Sequence, residues 1–242
     1  MNIVFFGTSG FAVPALEKLL ASNHRVMAAV TQPDRPAGRG QELHQSPVKE
    51  IALAKGLHLF QPENCNEYEF LRELRALSPD VIVVVAYGQK LGNDILQMAR
   101  FYVLNIHPSL LPKHRGPEPV ARALLNGDAF TGVCIVKVVE KMDAGPVLGI
   151  TRVPVPPEAT TPEMEEQLSQ VGDRRQIEIP QDEREASYAK KFEKNDGRID
   201  WRKPASKIQN FVRALIPYPC AFTFLGGKQR VVIHKVKGIR YP

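Results

Sequence analysis

Short apolar runs alternate with amphipathic stretches through roughly the first 150 residues, and each alternation reads as a strand followed by a helix. Asn2 to Phe6 has the character of a buried strand, Gly7-Thr8-Ser9-Gly10 that of a turn, and Val13 to Ala21 that of an amphipathic helix with Pro14 near its first turn. The pattern recurs with a strand at Val26 to Thr31, a helix at Ser46 to Lys55 behind Pro47, a short strand at His58 to Phe60 and a helix at Glu67 to Leu77. Asp80-Val81-Ile82-Val83-Val84-Val85 is almost continuously apolar and β-branched, which predicts a central parallel strand covered by helices on both faces. Further strands are predicted at Tyr102 to Ile106 and Gly132 to Val138, with a helix at Val120 to Asn126 between them. The expected fold class is α/β, a Rossmann-like, doubly wound and mostly parallel sheet.

From about Arg152 to Glu185 the chain becomes rich in Pro, Glu and Gln. This stretch reads as the end of the first domain, with a helix over Met164 to Gly172, followed by a connector. Trp201 to Leu215 then predicts a short helix, and Cys220 to Leu225 and Gln229 to Val236 predict a hairpin turning at Gly226-Gly227. A lone hairpin is marginal in water, so the segment is expected to be the start of a small C-terminal β domain cut short at Pro242. The expected division is a catalytic domain over 1–172, a linker over 173–198 and a partial C-terminal barrel over 199–242.

Composition narrows the class. Of 242 residues, 43% are hydrophobic and 24% charged, as in an ordinary globular protein, and no apolar run approaches the roughly 20 residues of a membrane span. The N-terminus lacks the pattern of an export signal. Cys65, Cys134 and Cys220 lie far apart without a C-x-x-C pair, which suggests neither a disulfide framework nor a thiolate metal site and fits a reducing cytoplasm. The net charge of +6 is unevenly spread: residues 184–242 carry 14 Lys and Arg against 4 Asp and Glu. A mildly acidic body with a basic tail suits a polyanionic partner, nucleic acid above all, although a merely solvated basic face has the same composition.

Candidate chemistry collects where a predicted strand ends. Tyr102 to Ile106 runs into Asn105-Ile106-His107-Pro108-Ser109-Leu110-Leu111-Pro112-Lys113-His114-Arg115-Gly116, and open parallel sheets bind ligands in the crevice at the carboxyl ends of their strands. Alternation along an extended chain puts Asn105 and His107 on one face. Asp143, in Glu140-Lys141-Met142-Asp143-Ala144-Gly145, follows another predicted strand and can reach the same crevice. An amide, an imidazole and a carboxylate are what acyl transfer between nitrogens requires: donors for a developing oxyanion and a group that moves a proton from attacking to leaving amine. Taken singly, each has an ordinary reading as a turn former, a satisfied polar group or a cap.

Asn105-x-His107-Pro108-Ser109-Leu110-Leu111-Pro112, then Arg115-Gly116 and Asp143-x-Gly145, resembles the folate-dependent formyltransferases that act on amines. Thr31-Gln32-Pro33-Asp34-Arg35-Pro36-Ala37-Gly38-Arg39-Gly40, Ser46-Pro47-Val48-Lys49 and Val83-Val84-Val85-Ala86-Tyr87-Gly88-Gln89 resemble the methionyl-tRNA formyltransferases within that group. Tyr188-Ala189-x-Lys191 and Gly197-Arg198-Ile199-Asp200-Trp201 extend the likeness into that family's linker and the start of its OB-like barrel. The resemblance implies a bacterial, cytoplasmic enzyme of translation initiation that moves a formyl group from 10-formyltetrahydrofolate to methionyl initiator tRNA as a monomer, with no metal and no membrane partner. It further implies that Asn105 and His107 polarise the formyl oxygen and that Asp143 assists proton transfer. Folate contacts are implied at Ser109, Leu110, Leu111 and Pro112 and at Gly88, Gln89, Lys90 and Leu91. Contacts to the tRNA acceptor end are implied at Arg35, Arg39 and Lys49, on a loop that Gly38 and Gly40 are expected to keep mobile.

The sequence departs from that family in four places. Pro117-Glu118-Pro119 puts a negative charge where the family has small residues, and Gln41-Glu42 stands where it tends to place lysines. After Asp173-Arg174-Arg175 the family continues for more than about ten residues before its Pro-Gln-Asp segment, and its barrel is expected to continue past Pro242. Amino-sugar-nucleotide formyltransferases and 10-formyltetrahydrofolate hydrolases share the trio and remain alternatives, as does an RNA-binding module without catalysis. A dinucleotide-binding protein is disfavoured because Gly7-Thr8-Ser9-Gly10 is not G-x-G-x-x-G.

Overall fold

In the computed structural model, residues 1–37, 42–171 and 178–236 are described. The strands are Asn2–Gly7 (β1), Arg25–Val30 (β2), Arg35–Ala37 (β3), Glu42–His44 (β4), His58–Phe60 (β5), Val81–Val85 (β6), Tyr102–His107 (β7), Phe130–Lys137 (β8), Val147–Pro154 (β9), Ala221–Leu225 (β10) and Gln229–Ile233 (β11). The α-helices are Val13–Leu20 (α1), Pro47–Ala54 (α2), Tyr68–Ala76 (α3), Asn93–Leu96 (α4), Pro119–Asn126 (α5), Thr161–Ser169 (α6) and Ala205–Ala214 (α7). The chain divides into two compact units, Met1–His107 with Ile135–Gly149 and Gln176–Pro180, and Pro108–Cys134 with Ile150–Arg175 and Gln181–Pro242.

The main sheet has the order β5-β2-β1-β6-β7-β8-β9, and β1, β2, β5, β6 and β7, which lie in the first unit, pair in parallel. Alternation along β1 decides what each face meets. Val4 and Phe6 join Ala28, Val30, Ile82 and Val103 against Phe70, Leu71 and Leu74 of α3 and Ile95 of α4. Ile3 and Phe5 join Ala29, Val81, Val83 and Val85 against Leu16 of α1 and Val48 and Ala52 of α2. Both faces are therefore covered, which is why the strand sequences are apolar throughout and why the doubly wound expectation holds. α2 starts where Ser46 Oγ accepts the Lys49 amide at 3.1 Å, with Pro47 supplying a helical φ in the first turn.

In the second unit α5 packs on α7. Ala121, Phe192 and Leu215 form one small core, and Ile199, Val212 and Ala221 another. Thr161 Oγ1 donates to the Ala214 carbonyl at 2.8 Å, and the buried Arg213 guanidinium donates to the carbonyls of Pro156 and Ala159. β10 and β11 form an antiparallel hairpin from Ala221↔Ile233 to Leu225↔Gln229, turning at Gly226 and Gly227 with φ of 57° and 73°. Among the described residues, no helix is long and apolar enough to cross a membrane.

The structure differs locally from these expectations. The C-terminal helix starts at Ala205, not Trp201, because Asp200 accepts the Arg202 amide in a separate turn and Pro204 precedes the helix. β9 occupies part of the stretch read as the domain's end, its Gly149, Arg152 and Pro154 having hidden the alternation. α4 is too short to show a helical period. β3 and β4 pair from Arg35↔His44 to Ala37↔Glu42, while Gly38, Arg39, Gly40 and Gln41, on which the expected mobility of this loop rests, lie outside the described residues.

Candidate active site

β7 delivers two of the three residues. Its parallel register with β6 sets Val84 beside Asn105, and the Val138 amide donates to the Val103 carbonyl at 2.8 Å on the other side. Asn105 and His107, two residues apart, both approach Asp143: Asn105 Nδ2 donates to Oδ1 at 3.2 Å, and His107 Nδ1 lies 3.7 Å from Oδ2. The imidazole side chain is 5% exposed and the carboxylate 12%, so the charge of Asp143 acts in a poorly hydrated setting, where each Coulomb interaction is strengthened. Each oxygen of one carboxylate thus serves a different partner. Holding one N–H of the Asn105 amide also fixes the direction of the other.

Asp143 reaches this place through a tight reversal between β8 and β9. The Lys137 amide donates to the Pro146 carbonyl at 3.0 Å and the Ala144 amide to that of Lys141 at 3.2 Å. Asp143 itself has φ +50°, a left-handed conformation that a non-glycine residue adopts at a cost of about 1–3 kcal/mol. Gly145 has a different reason: a Cβ there would run into the Lys137 carbonyl. Gly145→Ala is therefore expected to displace the turn carrying Asp143, costing about 1–3 kcal/mol of stability and depressing turnover with it. A thermal melt and an activity measurement check this, and a variant with wild-type values for both would separate Gly145 from the site.

Gly88, Gln89, Lys90 and Leu91 follow β6 in the same unit. Gly88 has φ +95°, the Tyr87 carbonyl accepts Thr8 Oγ1 at 2.8 Å and Gln32 Nε2 at 3.2 Å, and Leu91 is buried. The Gln89 side chain turns away to accept the Cys65 amide at 2.8 Å and donate to the carbonyls of Pro62 and Glu63. Gln32, Asp34 and Gln61, to which the sequence reading gave no role, form a polar network beside it. Gln61 Nε2 donates to the Gln32 carbonyl at 3.0 Å and to Asp34 Oδ1 at 2.9 Å, and Lys49 Nζ donates to Asp34 Oδ2 at 2.5 Å. These bonds, Lys49 first, hold the Asp34 carboxyl below the usual carboxylate range. Gln32 and Asp34 lie inside the quoted Thr31 to Gly40 motif, the one signal that could have found them.

Arg35 pairs with Glu63 at 3.2 Å on the surface, Lys49 is engaged with Asp34, and Arg39 lies outside the described residues. Ser109, Leu110, Leu111 and Pro112 belong to the second unit. Ser109 is fully buried, and its Oγ donates to the Lys113 carbonyl at 2.7 Å, which closes the loop on itself.

Glu118, the departing residue, precedes α5. Burial raises its carboxyl pKa above the ordinary 4.5, against the opposing pull of Lys191 and Arg122. A raised folded-state pKa contributes stability that is present below about pH 4.5 and lost as pH rises through the folded value. Glu118→Gln is accordingly expected to melt higher than the parent at pH 7.5, with the gain vanishing near pH 4. Equal melting temperatures at both pH values would contradict this.

A family model described as formyl transferase matches residues 1–179, and one described as formyl transferase, C-terminal domain, matches residues 191–239. The methionyl-tRNA formyltransferase of Chloroflexus aggregans is 44% identical over 240 residues, covering 94% of this chain and 78% of its own. That of Moorella thermoacetica is 42% identical over 241 residues, covering 95% and 78%. Among solved structures, a sugar N-formyltransferase from a Shewanella species superposes with a TM-score of 0.70, covering 99% of both chains at 15% identity, a likeness of fold alone.

Proposed function

The chain belongs to the formyl transferase family, and from that premise we propose that it transfers the formyl group of 10-formyltetrahydrofolate to the α-amino group of methionyl initiator tRNA. The observation that carries the chemistry is the meeting of Asn105, His107 and Asp143 at the carboxyl end of β7. The amine attacks the formyl carbon. As the carbonyl becomes tetrahedral, its oxygen gathers charge that N–H donors from Asn105 and His107 neutralise. Asp143 orients both donors and takes up the proton that the attacking nitrogen must lose; the tetrahedral adduct then collapses, its bond to the folate nitrogen breaks, and that nitrogen leaves with the proton as tetrahydrofolate. Water shares neither the nucleophilicity of the amine nor its positioning by tRNA, so transfer outruns hydrolysis.

The folate contacts at Gly88, Gln89, Lys90 and Leu91 and at Ser109, Leu110, Leu111 and Pro112, and the tRNA contacts at Arg35, Arg39 and Lys49, are assigned by the family motifs. The reading includes a catalytic domain over 1–172, a linker over 173–198 and the start of a barrel over 199–242, in a monomer of the bacterial cytoplasm. It is tested by offering 10-formyltetrahydrofolate with three acceptors in parallel: methionyl initiator tRNA, a nucleotide-linked amino sugar, and water alone. Formylation of the tRNA should dominate. Faster transfer to the sugar or to water would move the substrate assignment and leave the trio in place.

A further inference from the structure

Arg115-Gly116 belongs to the motif that carries the family resemblance, yet the chemistry above gives it no task. Arg115 is the largest fully buried side chain among the described residues, and a buried guanidinium requires charge and hydrogen-bond partners. It finds them on the segment Gln181–Ala189. Nε and an Nη donate to Gln181 Oε1 at 3.1 and 2.8 Å, and the two Nη atoms reach Glu183 at 3.1 and 2.8 Å. The backbones are joined as well. The Arg115 amide donates to the Ser187 carbonyl at 2.8 Å, the Ala189 amide to the Arg115 carbonyl at 2.7 Å, and the Ser187 amide to the Pro112 carbonyl at 3.2 Å. The His114 amide donates to Ser187 Oγ at 2.9 Å.

Gly116 completes the arrangement. It sits at φ +113°, and a Cβ there would come within 3.0 Å of the Ala189 carbonyl oxygen, so glycine alone lets the two backbones lie this close. Residues 181–189 of the stretch read from sequence as linker thus form a strap over the loop that starts two residues after His107. Its grip reaches Pro112, the end of the folate-assigned stretch, while the Ser109 hydroxyl and the Lys113 amide, which donates to the Leu110 carbonyl at 3.1 Å, close that stretch from within.

We propose that Arg115 is a positioning residue for folate: it locks the strap Gln181–Ala189 onto the loop Ser109–Gly116 and so sets the geometry in which Ser109–Pro112 receive the co-substrate. This rests on the assignment of that loop to folate. A side chain that orders a binding loop in advance lowers the entropy cost of binding, so loosening it appears in folate affinity rather than in the tRNA term.

The test uses the full chain with Gln181→Ala and Glu183→Gln combined, which removes the Gln181 acceptor and the Glu183 charge from the guanidinium while leaving the buried arginine in place. Tetrahydrofolate affinity, the KM values for both substrates, and amide exchange at His114, Arg115 and Ala189 are measured. Folate binding should weaken about ten-fold, the KM for tRNA should hold, and the three amides should exchange faster together. Arg115→Lys, which keeps the charge without the fork, should retain more folate affinity than Arg115→Met. Arg184→Gln, whose guanidinium pairs with Asp182 inside the strap, should change nothing. A folded double variant with parental folate affinity overturns the proposal. Parental protein that binds no tetrahydrofolate overturns both this and the folate assignment, an outcome told apart because it precedes any substitution.

Discussion

Replacing His107 with alanine is expected to slow formyl transfer by about 10²–10⁴-fold, the range that one positioned proton-transfer or polarising group contributes. The imidazole is 5% exposed at the end of a central strand and its Nδ1 faces the Asp143 carboxylate at 3.7 Å. Little water can enter to stand in for it, so its loss falls on the transition state rather than on the binding of either substrate. Single-turnover rates at saturating folate and tRNA, measured beside equilibrium binding of each, check this. A drop confined to tRNA affinity, with the rate constant intact, would remove His107 from the chemistry.

Asn105→Ala should cost about 10²–10³-fold in kcat, the loss associated with removing one preorganised oxyanion donor. Two effects act together, since the amide also restrains Asp143 Oδ1 at 3.2 Å. With that bond gone, Asp143 Oδ1 loses one of the contacts that hold it on a backbone at φ +50°. The combined His107→Ala, Asn105→Ala variant is therefore expected to lose much less than the product of the single losses, because the proposed mechanism has both act on one tetrahedral oxygen beside one carboxylate. Multiplicative losses would mean that the two residues work in separate steps.

The strap bears on how the chain divides. The residues from Gln181 to Ala189, polar and without helical or strand periodicity, read as a connector, yet their backbone lies hydrogen-bonded along Arg115. Periodicity detects segments that bury one face of a regular element. It says nothing of a segment that buries a partner's guanidinium instead. The same blindness explains the Gln32, Asp34 and Gln61 network, whose members are polar, far apart in sequence and joined only in space.

What the amino-acid sequence determined by itself was the doubly wound parallel sheet, because β1 and β6 must be apolar on both faces to be covered on both; alternation also put Asn105 and His107 on one face at a strand's end, whereas the roles given to them and to Asp143 rest on the family motifs. It also held the glycine turn of the C-terminal hairpin. Only the tertiary structure decided that one carboxylate serves both of its partners, that Gly145 is glycine on account of the Lys137 carbonyl, and that Gly116 is glycine on account of Ala189. It also decided that Arg115 points into a strap more than 60 positions away along the chain. The physical reason is the range of the forces concerned: hydrophobic burial repeats with the local period of the backbone and so leaves its trace in a short window of sequence, whereas a hydrogen bond or a close backbone approach depends on a partner that only folding brings within about 3 Å.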